Sequence, residues 1–289
     1  MPRKIVVIDE GMSAVENLAR NEACFESVRA REFEEIVRVY SFKQPGVILA
    51  KNQSAWDVQD AAWDLLEVTR RKSGGGAVYV DENTLGYSVF GRIEGVHGAV
   101  ANPTHIPYQR MRFAVMEVLR SFGLQPREER HWGVRVEGGV VAGHAQRYEN
   151  GAYEVHGLVR LRKWNLEAVA GALKLRKCGV FENAQYLVAA NEVYSSERVQ
   201  SAVSAGAVRV VRDEQEELRG TPGLDELGVH RELFVERLVK YLSSGEECGL
   251  PAGLLQKAKE YQARYADAAF VRGSVEHRRC LGHCFVDLE

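Results

Sequence analysis

The sequence predicts an α+β fold, with a mixed, largely antiparallel sheet flanked by helices. Three observations predict it. The segments run strand, helix, strands, helix, hairpin, strand, helix, an order that belongs to α+β rather than to layered α/β proteins. Regular strand–helix alternation is absent, which argues against a dinucleotide-binding fold. Two pairs of short apolar runs are also joined by polar or glycine-rich turns, at 77–80 with 85–90 and at 133–136 with 140–142.

Each element has a local reason. Residues 4–9 (KIVVID) form a short apolar run and read as a strand. Residues 13–31 place Ala, Val, Leu, Cys and Phe at helical spacing. Residues 35–42 (EIVRVYSF) alternate and are β-branched, and 47–50 (VILA) forms another strand. Residues 56–68 suggest an amphipathic helix, on which Trp56 and Trp63 pack inward two turns apart. Residues 109–122 form a helix that Gly123 ends. Glu137-Gly138-Gly139 turns a hairpin. Residues 153–161 are a strand, and 166–175, 229–242 and 254–268 are helices. The stretch 177–227 is polar and weakly patterned, and its mixed charge run at 209–219 reads as a solvated face.

Composition sets the outer limits. The chain has 289 residues, enough for one large domain or two small ones. No apolar run approaches the roughly 18 residues of a membrane span, so no membrane association is expected. A net charge of −2 argues against a general nucleic-acid coat. The N-terminal residues MPRKIVVIDEGM meet acid within ten positions, unlike a secretory signal. Five cysteines at scattered spacings fit a reducing, cytoplasmic setting.

One stretch carries chemistry. Residues 69–92 read TRRKSGGGAVYVDENTLGYSVFGR. Gly74, Gly75 and Gly76 lack a Cβ and let a ligand approach their amides. Arg70 and Arg71 precede them, and a guanidinium fork suits carboxylate or phosphate. Ser73 adds a hydroxyl donor. The pattern therefore holds an anion or acyl phosphate, or else forms a flexible surface turn beside a solvated basic face. Neither the Walker pattern nor GxGxxG is met.

The run RRKSGGGAVYVD…YSV resembles the signature of the biotin/lipoate A/B protein ligase superfamily, which includes lipoate–protein ligases and octanoyltransferases. SAVENLARNEACF at 13–25 looks like that family's first helix, and VILAKNQ at 47–53 like its next strand and turn. AGHAQR at 142–147 resembles the second motif, and His156-Gly157-Leu158 the strand after it. The resemblance implies a class II biotin/lipoate ligase-like catalytic domain over 1–245, with a C-terminal helix and strand extension over 246–289. It implies lipoate or octanoate as ligand, with ATP and Mg in the ligase branch. It implies transfer of the acyl group to a lysine of a lipoyl carrier domain, of the glycine cleavage H protein or 2-oxoacid dehydrogenase E2 type. The substrate-binding set it implies is Arg70, Arg71, Ser73, Gly74, Gly75, Gly76, Ala77, Val78, Tyr79, Val140, Gly143, Ala145, His156 and Gly157, and no metal ligand among these.

The sequence departs from the pattern where it matters most. Val140 stands where the family's second-motif lysine belongs, and valine cannot oppose charge developing on an acyl phosphate. The family's acidic pair before that motif falls near Trp132-Gly133. Three readings follow: a working ligase or transferase with a displaced catalytic group; a protein that binds an acyl group or carrier without catalysis; or one subunit of a split ligase whose partner completes the site. Lys72 and His144 are the candidates for the displaced group, Lys72 beside the glycines and His144 as a general base. The plain alternatives are a solvent-pointing lysine and a hydrogen-bonded structural histidine. Cys178 is a weaker candidate for an acyl-carrying thiol. His277, Cys280, His283 and Cys284 are zinc-ligand types at a spacing tighter than common structural sites, or simply part of a short strand.

Overall fold

A computed structural model describes residues 3–53, 55–93, 105–129, 133–175, 177–181, 208–243 and 245–272. Its main sheet begins with β1 (Arg3–Met12). Ser13 then caps α1 (Ala14–Arg29): its hydroxyl accepts from the Glu16 amide and the Glu16 carboxylate accepts from the Ser13 amide. β2 (Phe33–Phe42) returns parallel to β1. β3 (Gly46–Leu49) opens a second, smaller sheet.

The next stretch corrects the single helix expected over 56–68. Only a 3₁₀ turn at Ala55–Asp57 and one helical turn, α2 (Ala62–Leu65), form there. Leu66 is extended, and β4 (Glu67–Arg70) pairs in parallel with β3. The β-branched Val68 and Thr69 favour that strand over a helix. Trp56 does not pack inward: it is 77% exposed, with the Lys174 ammonium over its ring. Trp63 is partly buried.

β5 (Val78–Val80) pairs antiparallel with β3, and β6 (Thr84–Arg92) enters the main sheet against β2. α3 (His105–Arg120) packs on the opposite face of that sheet from α1. β7 (Arg127–Glu129), β8 (Gly133–Val136), β9 (Gly139–Glu149) and β10 (Ala152–Arg160) follow as an antiparallel meander. Glu137 and Gly138 both have positive φ at the predicted hairpin, and so do Asn150 and Gly151 at a second one joining β9 to β10. α4 (Leu166–Ala172) is capped by Asn165. β11 (Lys177–Phe181) and β12 (Val208–Asp213) pair, so part of the weakly patterned stretch is an antiparallel ribbon, followed by α5 (Glu214–Gly220).

α6 (Arg231–Leu242) lies against α3. β13 (Glu246–Glu247) adds a parallel edge to β1. α7 (Ala252–Ala266) packs along α1, and α8 (Ala268–Arg272) reaches β4. The main sheet thus runs β13-β1-β2-β6-β10-β9-β8-β7, parallel at one edge and antiparallel elsewhere.

The two faces of this sheet differ chemically. The α3 face is apolar, with Val37, Val89, Val155, Tyr108 and Met111 in one cluster. The α1 face is polar at its centre: Arg38 is fully buried there beside Asn17, Asn21 and Ser88. No helix among the described residues is long and apolar enough to cross a membrane.

Candidate functional site

The glycine loop is built around a buried guanidinium. Arg71 donates from Nη2 to the carbonyls of Gly74 (2.8 Å) and Gly76 (2.7 Å), from Nη1 to Ile48 (3.2 Å) and from Nε to Ser73 Oγ (3.1 Å). At Gly75 this close wrap needs a missing side chain, whereas a Cβ on Gly74 or Gly76 would meet open space. Gly75 has φ +99°, and a Cβ there would lie 3.0 Å from Arg71 Nη2. Burial lowers the Arg71 pKa to about 10. The three glycines are exposed, and the part of the loop that lines a cavity is Arg71, Lys72 and Ser73.

That cavity lies between α1 and the sheet. It is small, about 10 Å³. Leu18, Asn21 and Glu22 approach it from α1, Arg147 from β9, Glu154 and His156 from β10, and Tyr265 from α7. Ser73 Oγ and His156 Nε2 are 2.6 Å apart. The Glu22 carboxylate takes Lys72 Nζ, Arg147 Nη1 at 2.8 Å and a hydrogen bond from the Tyr265 hydroxyl at 3.0 Å. Arg147 Nε lies 2.7 Å from Glu154. These two Arg147 contacts are close in distance but are not aligned as hydrogen bonds. The Arg147 guanidinium also stacks 3.7 Å from the Phe25 ring.

Burial sets the protonation states. It pushes the Glu22 carboxyl up, but Arg147 and Lys72 outweigh it and hold the group below its ordinary value. At Glu154 burial wins over Arg147, and the carboxyl is raised. Burial, with the Arg71 and Arg147 charges, lowers His156 well below 6.5, so it is neutral at pH 7. The sign for stability follows. Between its folded value and 6.5 the unfolded chain binds a proton at His156 that the folded chain refuses. Stability therefore falls on acidification from about pH 6.5, by about 1.4 kcal/mol per pH unit for one proton. Glu154 acts oppositely above pH 4.5, because there the folded chain holds the extra proton. Urea midpoints across pH 5–7.5 should drop toward acid in the wild type and drop less in His156→Gln.

The expected residues divide into groups. Arg71, Lys72, Ser73 and His156 line the cavity, and Ala145 pairs with His156 across the strands. Arg70, expected at the acyl head group, is buried behind the loop and donates to the carbonyls of Ala50, Gln53 and Val271. Ala77 and Tyr79 pack into the apolar cluster of the small sheet, and Val78 into a neighbouring one. His144, expected as a general base, is on the α3 face: it bonds Tyr87 Oη at 2.9 Å and packs on Tyr108. Strand alternation puts it there, because His156 pairs with Ala145 while His144 pairs with Gly157. A Cβ on Gly157 would meet the rings of His144 and Tyr87 at 2.6 Å, so this glycine makes room for them. Val140 is on β9 beside Gly133, and Gly143 is exposed.

Leu18, Asn21, Glu22, Arg147, Glu154 and Tyr265 were not foreseen at the site. Local signals existed for two of them. Glu154 stands two residues before His156 and so shares its face of β10, and Arg147 is likewise two residues beyond Ala145 on β9. Cys178 falls in β11, outside the residues whose side chains are described. His277, Cys280, His283 and Cys284 lie outside the described residues. Among the described residues no three His, Cys, Asp or Glu group as a metal site.

The family model described as the lipoyl protein ligase A/B catalytic domain matches residues 13–205. Lipoate-protein ligase LplJ of Bacillus subtilis is 26% identical over 164 residues, 56% of this chain and 46% of the relative. Lipoate–protein ligase 1 of Staphylococcus aureus is 26% identical over 162 residues, 55% of this chain and again 46% of the relative. These matches therefore span a little under half the length of the curated relatives. Among solved structures, lipoate-protein ligase A bound with ATP superposes with a TM-score of 0.69 at 18% identity, over 94% of this chain and 99% of that one. The bi-partite lipoate protein ligase of Thermoplasma acidophilum, described with its E2 lipoyl domain, gives 0.69 at 18%, over 96% and 99%. At such identities the superpositions establish the fold.

Proposed function

Since this chain belongs to the lipoyl protein ligase A/B catalytic domain family, we propose that it binds a lipoyl or octanoyl group in the cavity under α1 and passes it to a carrier-domain lysine. One observation carries the reading: Arg71, Lys72, Ser73, Arg147 and His156 converge there from three separate elements.

The roles follow from chemistry. Ser73, held by Arg71 and neutral His156, presents its hydroxyl to an acyl oxygen. Lys72 and Arg147 are the cations able to oppose charge that develops on that oxygen, a contribution Val140 cannot make. His144 has no part in this step, since the sheet separates it from the cavity. Nucleophilic attack belongs to the amine of the carrier lysine.

One of the similar solved ligases is bound with ATP. In this chain Gly133 stands near the position of the family's acidic pair and offers no side chain to a magnesium ion. Glu129, opposite Gly133 on β7, has its carboxylate on Arg135, so the described residues present no unpaired carboxylate to the metal at that position.

A second reading draws on a separate observation. The archaeal neighbour is described as a bi-partite lipoate protein ligase with its E2 lipoyl domain. With Val140 in place of lysine, the chain would then be the acyl-binding part of a split enzyme, or an impaired homologue that retains binding.

Titration calorimetry with lipoate, octanoate, biotin and ATP tests these readings. Lipoate or octanoate is expected to bind, and Ser73→Ala to weaken that binding about tenfold, as loss of one hydrogen bond would. Acyl binding that needs an added second subunit favours the split enzyme. No acyl binding under either condition refutes the proposal.

A further inference from the structure

We propose that Arg135 is the cation that meets the phosphate of an activated acyl group: it supplies from β8 the charge that Val140, in place of the second-motif lysine, cannot supply from β9. This inference rests on the acyl-binding reading and deepens it, by naming the residue at the charged end of the activated acid.

The starting point is strand register. The β8–β9 ladder pairs Val134 with Ala142 and Arg135 with Val140, so β9 holds one extra residue, Val141, between those pairs. Val141 and Ala142 both enter the apolar cluster on the α3 face, as do Val134 and Val136. The bulge therefore turns Val140 and Arg135 to the opposite face, the one from which Arg147 lines the cavity. Without the extra residue, Val140 would share the face of Ala142. Directly opposed residues have Cβ atoms about 4.5–5.5 Å apart. A long side chain at 135 thus covers the ground that one at 140 would.

Charge follows the same shift. Val140 stands at the position of the missing lysine and is paired with Arg135; Gly133 stands near the missing acidic pair and is paired with Glu129. Each missing charge therefore has one of the same sign on the next strand toward the sheet edge. The positions adjoin: a Cβ on Gly133 would lie 3.1 Å from Val140 Cγ1 and 3.2 Å from Glu129 Cβ. Glu129 takes Arg135 Nε and the Gly138 carbonyl takes Nη1. These contacts hold the guanidinium over the hairpin, while 32% of the side chain stays exposed. A guanidinium has five N–H donors and can hold Glu129 and a phosphate at once. There is space along the same face of β9: Gly143 is exposed, and a Cβ on it would meet nothing within 4 Å.

Moving the charge back separates this role from a structural one. A plain surface ion pair leaves ligand affinity alone, and its loss is not repaired by a cation on another strand. Octyl-AMP, a stable ester with the phosphate in place, is titrated by calorimetry into wild type, Arg135→Leu, Arg135→Lys and the double variant Arg135→Leu/Val140→Lys. Octanoate is titrated into wild type alongside, and each protein is checked for folding by circular dichroism. Arg135→Leu is expected to bind octyl-AMP at least tenfold more weakly, as loss of a charge-assisted hydrogen bond would give. Arg135→Lys should lose less, and adding Val140→Lys to Arg135→Leu should recover most of the affinity. Arg135→Gln takes the place of the leucine variant should that one not fold. Unchanged octyl-AMP affinity without Arg135, or a loss that Val140→Lys does not recover, overturns the role of Arg135. So does octanoate binding by wild type with no octyl-AMP binding, and in each of these cases octanoate binding leaves the acyl reading standing. Binding of neither compound by wild type overturns both.

Discussion

Arg38→Met should destabilise the protein by about 3–5 kcal/mol, a large part of an ordinary domain's stability. Arg38 lies at the centre of the polar α1 face with no exposed surface. Its guanidinium binds Asp9 Oδ2 (2.7 Å), the Asn17 carbonyl (3.1 Å), Asn17 Oδ1 (2.7 Å) and Asn21 Oδ1 (2.6 Å), and lies 4.4 Å from the Tyr40 ring centroid. Methionine fills much of the space but satisfies none of these acceptors. Asp9 keeps Arg20 at 2.7 Å, so the penalty falls mainly on the two buried asparagines. Arg38→Lys should recover only part of the loss, because a single ammonium cannot span acceptors on β1 and α1 together. Urea denaturation read by circular dichroism checks both variants. A change under 1 kcal/mol in Arg38→Met would mean that the asparagines find other partners.

The same residue shows what the sequence disclosed and what it hid. Within EIVRVYSF the alternation made β2 legible, but Arg38 stands at a position where strand periodicity alone would place it on a covered face. Only the tertiary structure shows that α1 brings Asn17 and Asn21, one helical turn apart, to receive it. Ser13 with Glu16 marks the start of α1, although the helix was read from its apolar spacing alone. Asn150-Gly151 is a hairpin-type turn pair with positive φ at both residues, and it sets the register of β9 and β10. The misread stretch is 56–68. Its tryptophans and leucines mimic a helical stripe, and what ends the helix is pairing of Val68 and Thr69 with β3, a contact between segments 21 positions apart in register. β13, two residues long, has no local signal, since its parallel pairing with β1 is decided by the packing of α6 and α7.

At the site, the triple glycine and Ser73 mark the loop that brings Arg71, Lys72 and Ser73 to the cavity. Gly75 is needed so that the loop can close on Arg71, and the carbonyls of Gly74 and Gly76 accept from its guanidinium. Which residue of a pair such as Arg70-Arg71 faces the cavity is set by strand alternation. Arg71 follows the last residue of β4 and turns to the loop, while Arg70 points the other way. The contributions of α1 and α7 could not be read locally. Glu22 and Tyr265 are 243 positions apart and meet only because α7 lies along α1.

Arg70→Ala should therefore act first on stability and only secondarily on ligand affinity, the reverse of what the signature alone implies. The Arg70 guanidinium joins three parts of the chain: Nε donates to Val271 O on α8 at 2.8 Å, and Nη1 to Ala50 O and Gln53 O, each at 2.7 Å, in the turn after β3. Thr69 adds a bond from Oγ1 to Tyr265 O at 2.8 Å. Truncation leaves buried carbonyls without a charged donor, at about 1.5–3 kcal/mol for each such bond, so a loss of about 3 kcal/mol or more is expected. α8 should be released first, which hydrogen exchange would register as lost protection across 268–272. Because α7 carries Tyr265 to Glu22, octanoate affinity should change as well, but through the wall of the cavity and not through a lost contact with the acid. Arg70→Lys should not restore stability, since one ammonium cannot donate toward α8 and the β3 turn at once. If Arg70→Ala kept its urea midpoint and its 268–272 protection yet lost octanoate binding altogether, the guanidinium would belong to the ligand after all.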